Sequence, residues 1–264
     1  MLKDLVYSAA LGLGFHLQRK VPDEAVRRTL ARLHPVSTPV GLIRIGGEGD
    51  GGYLVPDDLE GITACFSPGV DVLANFESDM AARGIPCFLA DASVDGPPLG
   101  NLQFDFEKKF IGVVEDDTFT TLDHWAARKP AAASGDLLLQ MDIEGHEWPV
   151  LLNVSDALLS RFRVIVLELH GLPHLFDRMT HAMFDAALDR LGRLFHVVHS
   201  HPNNFSPPFR HAGMEIPGFL EITLLLKDRA EATGFVTRFP HPLDTPCVGN
   251  RPDYALPAVL VGKG

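Results

Sequence analysis

The chain reads as an α/β protein built on a doubly wound, mostly parallel sheet, and three observations predict this. Dense apolar runs of strand length alternate with stretches at helical spacing. Leu137–Met141 and Val164–Leu169 are the clearest, and are too uniformly apolar for strands with one wet face. Both runs end in polar chemistry, Asp142-Ile143-Glu144-Gly145-His146 after the first and Glu168 with His170 at the close of the second. The last two apolar runs, beginning at Phe195 and Phe219, are separated by a proline-interrupted loop too short for a helical crossover, so they pair antiparallel.

Taken in order, Val21–Leu33 has a proline and acids in its first turn and apolar residues at helical spacing, and stops at His34-Pro35. Leu42–Ile45 and Tyr53–Val55 flank a run of five glycines, which reads as a glycine-rich hairpin or as backbone able to approach a ligand. Ile62–Phe66, the turn Ser67–Asp71 and helical Ala74–Arg83 form a strand, a turn and a helix, and Pro86–Asp91 is the second strand. Leu102–Phe106 and Phe110–Val114 supply a third strand with a flanking loop, and Thr120–Trp125 opens a helix. Asp136–Met141 is the fourth strand, Trp148–Leu159 a helix, Arg163–Gly171 the fifth strand and Leu175–Leu194 a long amphipathic helix. Strands from Phe195 and over Phe219–Leu226 complete a seven-stranded, Rossmann-like sheet with a C-terminal antiparallel hairpin. The organisation expected is an N-terminal helical extension over residues 1–40 and one domain over 41–264.

Composition narrows the function classes. Thirty-four acidic against 23 basic residues give a net charge of -11, and the basic residues are scattered, which argues against nucleic acid as a partner. The three cysteines are too few and dispersed for a disulfide framework, so a reducing, cytoplasmic setting is expected. No apolar run approaches the roughly 20 residues that span a bilayer. Met1–Phe15 carries Asp4 and lacks a small-residue cleavage site, so no signal peptide is expected; a peripheral amphipathic helix is the alternative.

In open parallel sheets ligands bind beyond the carboxyl ends of the strands. Asp142 and Glu144, two apart, point to one side if the backbone stays extended, with Gly145 permitting a turn and Glu147 favouring the next helix. Gly69 lets a cofactor lie against the first turn. With one glycine there, no dinucleotide fingerprint is present and a pyrophosphate cofactor loses support. Asp91 ends the second strand about 20 residues after that turn, where an acid accepts ribose hydroxyls. His199 and His201 share a strand face compatible with a metal or with a solvated strand end, and Asn203 and Asn204 either bind substrate hydroxyls or make a turn.

Asp50-Gly51-Gly52-Tyr53, Ser67-Pro68-Gly69-Val70-Asp71, Thr121-Leu122-Asp123, Met141-Asp142-Ile143-Glu144-Gly145-His146-Glu147 and Glu168-Leu169-His170 together resemble the FkbM-type family of class I S-adenosylmethionine-dependent methyltransferases. The resemblance runs from Leu42 to Leu226. It implies methyl transfer to a hydroxyl, commonly of a sugar or secondary metabolite, with a small-molecule or glycan acceptor. Under it Gly69 and Asp71 line the amino-acid end of S-adenosylmethionine, Asp91 meets its ribose and Asp142 faces the reacting centre; Tyr53 and Ser67 are further candidate cofactor contacts, and Glu144, His199, Asn203 and Asn204 are candidate contacts to the acceptor.

Whatever the family, a hydroxyl nucleophile loses a proton during transfer, and His146, His170 or Asp142 could accept it. Two routes follow. Asp142, Glu168 and His170 could bind Mg²⁺, or Glu168 could position a neutral His170 as base. The competing classes are a catalytically silent binding protein on the same fold and, disfavoured by the missing fingerprint, a nicotinamide-dependent oxidoreductase.

Overall fold

The computed structural model describes residues 2–15, 17, 19–70, 73–97 and 104–262. Its centre is a seven-stranded sheet of β1 (Ile62–Pro68), β2 (Cys87–Ala90), β3 (Phe104–Glu107), β4 (Asp136–Met141), β5 (Phe162–His170), β6 (Phe195–Pro202) and β7 (Phe219–Leu226). The spatial order is β6-β7-β5-β4-β1-β2-β3. β1 to β5 pair in parallel, and β7 inserts antiparallel between β5 and β6, as the short connection requires. The sheet reverses winding direction between β1 and β4, the place where such folds open a crevice at the carboxyl ends.

Both faces are buried because period-two alternation sends successive apolar residues to two different cores. Leu137, Leu139 and Met141 of β4 and Ile165, Leu167 and Leu169 of β5 join one core, whereas Leu138, Val164 and Val166 join the other. Seven helices are described: α1 (Leu2–Gly12), α2 (Asp23–Leu30), α3 (Asn75–Ala82), α4 (Leu122–Ala127), α5 (Glu147–Asn153), α6 (Asp156–Leu159) and α7 (Arg178–Leu194). The first core takes Val26 and Leu30 of α2, Trp125 of α4, Trp148 of α5 and Phe184 of α7, the last two rings stacked at 3.7 Å. The second takes Phe76 and Met80 of α3 together with the antiparallel hairpin 42–45/53–56, so the five-glycine segment is a hairpin loop.

Three boundaries differ from the periodicity reading. The expected Trp148–Leu159 helix is two, because Ser155 leaves helical geometry and caps α6 by accepting from Leu158 N. The long helix starts at Arg178, since the Asp177 carboxylate accepts from Met179 N and Thr180 N and the preceding Leu172–Phe176 is a 3-10 turn. Phe110–Gly112 pairs with Phe119–Thr121 outside the main sheet, while Leu102 lies outside the described residues. Among the described residues no helix is long and apolar enough to cross a membrane.

Candidate active site

The carboxyl ends of β1, β2 and β4 open into a cavity of about 620 Å³, bounded at its far wall by Asp50, Gly51 and Tyr53 of the hairpin. That volume falls in the range of small-molecule sites. Gly69, Asp91, Asp142, Glu144 and His146 line it, so the strand-end residues singled out in the sequence converge there. Asp71 lies outside the described residues.

Gly69 is dictated by backbone crowding. It has φ +85°, and a Cβ there would stand 1.5 Å from the Asp142 carbonyl oxygen. Its N–H donates to Ala90 O at 3.0 Å and Asp142 N donates to Pro68 O at 3.4 Å, so the three strand ends are stitched together at the cavity floor. Asp91, buried just past β2, accepts from Ser93 N at 2.7 Å and Ser93 Oγ at 2.6 Å.

Ser67, expected to touch a cofactor, instead lies fully buried behind the cavity wall, bonded to the carboxyl of Glu77 and to Gln140 Oε1 at 2.5 Å. Glu77 and Gln140 are the residues that reach the cavity. Burial pushes the Glu77 carboxyl up, with the Ser67 hydrogen bond opposing. Ser67 has one hydroxyl proton facing these two acceptors, so it can donate to only one of them at a time.

At the open end of β4 and β5, carboxylates surround one imidazole. His170 Nδ1 is 3.2 Å from Glu147 Oε1; Nε2 is 3.3 Å from Glu144 Oε2, 3.7 Å from Glu168 Oε2 and 3.8 Å from Asp142 Oδ1. Burial alone would lower the imidazole, but the hydrogen bond to Glu147 and the charges of Glu147, Glu168 and Asp142 hold it up at about 9. His170 is therefore held charged near neutral pH, whereas one of the two routes considered from the sequence requires it neutral. Desolvation raises Asp142 to about 7 against the attraction of His170, and raises Glu168 to about 9 with the repulsion of Asp142 and Glu221 added. Asp142 Oδ1 is buried with no hydrogen-bond partner among the described residues.

Two of the expected orientations change. Glu144 does not continue an extended strand: its φ is +56° and its side chain is 86% exposed, so it covers His170 from the solvent side. Glu147 does more than begin α5. Fully buried, it accepts from Ile143 N at 2.9 Å and Gly145 N at 3.2 Å, holding the turn while pairing His170. A helix-start glutamate is common enough that its sequence position alone carries no such signal. For a cation, the closest convergence is Asp142, Glu147 and His170, one ligand atom of each within 4.8 Å of the others; Glu168 is instead engaged by Asn203 Nδ2 at 2.7 Å.

The remaining expected acceptor residues stand apart from the cavity wall. Asn203 holds Glu168, and Asn204 spends its carboxamide on the tail, donating to Val248 O and Arg251 O and accepting from Val248 N. His199 lies 2.9 Å from Asp244, and His201 pairs Glu221 and Asp253, both at 3.2 Å.

No curated protein matches the chain. Residues 91–195, from just past β2 to the first residue of β6, match the family model of the methyltransferase FkbM domain, and the matched stretch contains Asp91, Asp142 and the His170 cluster.

Proposed function

We propose that the protein is an O-methyltransferase that uses S-adenosylmethionine to methylate a hydroxyl of a sugar or secondary metabolite. The observation that carries this reading is a single cavity bounded at one side by Asp91 and at the other by Asp142. S-adenosylmethionine, when bound, supplies an electrophilic methyl group. Asp91, a buried acid past β2, is suited to accept ribose hydroxyls, and Gly69 lines the same cavity.

Asp142 is the residue suited to take the acceptor's proton. A carboxylate raised to about 7 is a stronger base than an ordinary aspartate and is still ionised in part near neutral pH. His170, charged, offsets the negative charge of the acids around it and serves as the partner that steadies ionised Asp142. In this reading Asp142 takes the proton and His170 balances the charge of the acids around it, without a Mg²⁺ ion in either role. The face around Glu144 and His146 at the rim is where the acceptor would enter.

Calorimetry with S-adenosylhomocysteine, beside a methyl-transfer assay against hydroxylated sugars, tests the reading. Asp91→Ala should weaken cofactor binding by about 1.5–3 kcal/mol, the scale of a hydrogen bond to a charged group. Asp142→Asn should bind the cofactor and lose turnover. Absence of S-adenosylhomocysteine binding by the folded wild type would overturn the proposal, and near-normal turnover by Asp142→Asn would remove Asp142 as the base.

A further inference from the structure

A second cluster of metal-ligating side chains lies one strand further along the sheet. His201 of β6, Glu221 of β7 and Cys247 of the tail are all buried. Glu221 is the register partner of His201 on one side and of Glu168 on the other, so this cluster is a neighbour of the His170 site yet distinct from it. Glu221 sits between the other two: its Oε2 is 3.2 Å from His201 Nδ1 and its Oε1 is 3.2 Å from Cys247 Sγ. One donor atom from each residue lies within 4.8 Å of the other two.

Donors held about 2.0–2.3 Å from a tetrahedral zinc ion stand roughly 3.3–3.8 Å from one another, so small side-chain shifts would let these three close on one ion. The imidazole is already oriented for that. Asp253 Oδ2 lies 3.2 Å from His201 Nε2, and a carboxylate taking the proton of the outer nitrogen leaves Nδ1 free to ligate, the pairing that supports many zinc-bound histidines. A thiol, an imidazole and one carboxylate form a mixed set that suits Zn²⁺ rather than the all-oxygen coordination of Mg²⁺ or Ca²⁺.

We propose that His201, Glu221 and Cys247 bind a zinc ion, with Asp253 orienting His201 and water completing the tetrahedron. Bonding to the metal displaces the Cys247 Sγ proton and any proton on His201 Nδ1 to solvent. The ion would fasten the tail to β6 and β7. The same tail segment packs on the glycine loop, Gly49 N donating to Thr245 Oγ1 at 3.1 Å, and that loop carries Asp50 and Gly51 of the cavity wall. Zinc at this place would therefore hold one wall of the cavity through the tail.

The test uses the full chain, purified without a polyhistidine tag, stripped with chelator and titrated with Co²⁺. Wild type should develop a thiolate-to-cobalt charge-transfer band and tetrahedral visible bands, and Zn²⁺ should abolish both by displacing the cobalt. Cys247→Ser should lose the charge-transfer band, and His201→Gln should lose stoichiometric zinc in elemental analysis. Should either variant fail to fold, the wild-type titration alone decides. Stripped wild type that keeps its circular dichroism and shows no charge-transfer band with Co²⁺ overturns the proposal, as does an undiminished band in folded Cys247→Ser.

Discussion

His170 Nδ1 and Glu147 Oε1 stand 3.2 Å apart, and the glutamate has no solvent exposure at all. One carboxylate thereby does two things: it holds the turn after β4 through the N–H groups of Ile143 and Gly145, and it keeps the neighbouring imidazole charged. The shape of the turn and the charge of the site are coupled through this residue.

The coupling predicts different outcomes for two substitutions at one position. Glu147→Ala leaves a buried imidazolium and two backbone donors without their acceptor, and should cost about 3–5 kcal/mol in urea unfolding, the penalty for breaking a buried ion pair. Glu147→Gln keeps an acceptor for the turn and removes the charge. It should fold, and the His170 titration followed by NMR should fall from about 9 toward the ordinary histidine range. An unchanged titration in Glu147→Gln would show that the other acids, and not Glu147, hold the proton.

Stability should fall with rising pH through this cluster. Asp142, Glu168 and His170 all have folded-state values above their ordinary ones, about 7, 9 and 9. Between the ordinary aspartate value and about 9 the folded chain therefore binds more protons than the unfolded chain, and the sign of the linkage makes stability decrease as pH rises across that window. Asp142→Asn, which cannot ionise, removes the aspartate's share. Relative to wild type it should gain at most about 3 kcal/mol between about pH 5 and about pH 8, at about 1.4 kcal/mol for each tenfold difference in proton affinity between the folded and unfolded chain. Paired urea titrations at the two pH values measure this, and a difference that does not grow with pH would place Asp142 at an ordinary carboxylate value.

Much of this arrangement was legible in the sequence because it follows from local rules. Uniformly apolar β4 and β5 announced strands buried on both faces, and the short link between β6 and β7 set their antiparallel pairing. The place of Asp91 and Asp142 in the lining of one cavity was legible because strand ends at the winding reversal are where such folds open a crevice. What escaped depends on tertiary proximity. Ser67 occupies the right turn but faces inward, because strand alternation at the end of β1 turns it toward Glu77 and Gln140. Glu144 was expected beside Asp142 on an extended chain, and the left-handed backbone at that residue sends it outward over His170. Glu147, Glu221 and Cys247 acquire their chemistry only when α5, β7 and the tail pack, which periodicity does not encode.

Two glycines separate steric from conformational demand. Gly69 and Gly145 both have positive φ, +85° and +97°, so a side chain at either is strained. At Gly145 the nearest neighbour of an added Cβ is His170 Cβ at 3.9 Å, an ordinary contact, and Gly145→Ala should cost only the backbone strain, about 1–3 kcal/mol. At Gly69 the added carbon would overlap the Asp142 carbonyl oxygen, a backbone atom that no rotamer change can move aside. Gly69→Ala must part the ends of β1 and β4, so overpacking of about 1–3 kcal/mol adds to the backbone strain. Because those strand ends form the cavity floor, its loss of S-adenosylhomocysteine affinity in calorimetry should also exceed that of Gly145→Ala. Equal unfolding midpoints for the two variants would show that the strand ends separate freely, and that the close approach at Gly69 does not define the floor of the cavity.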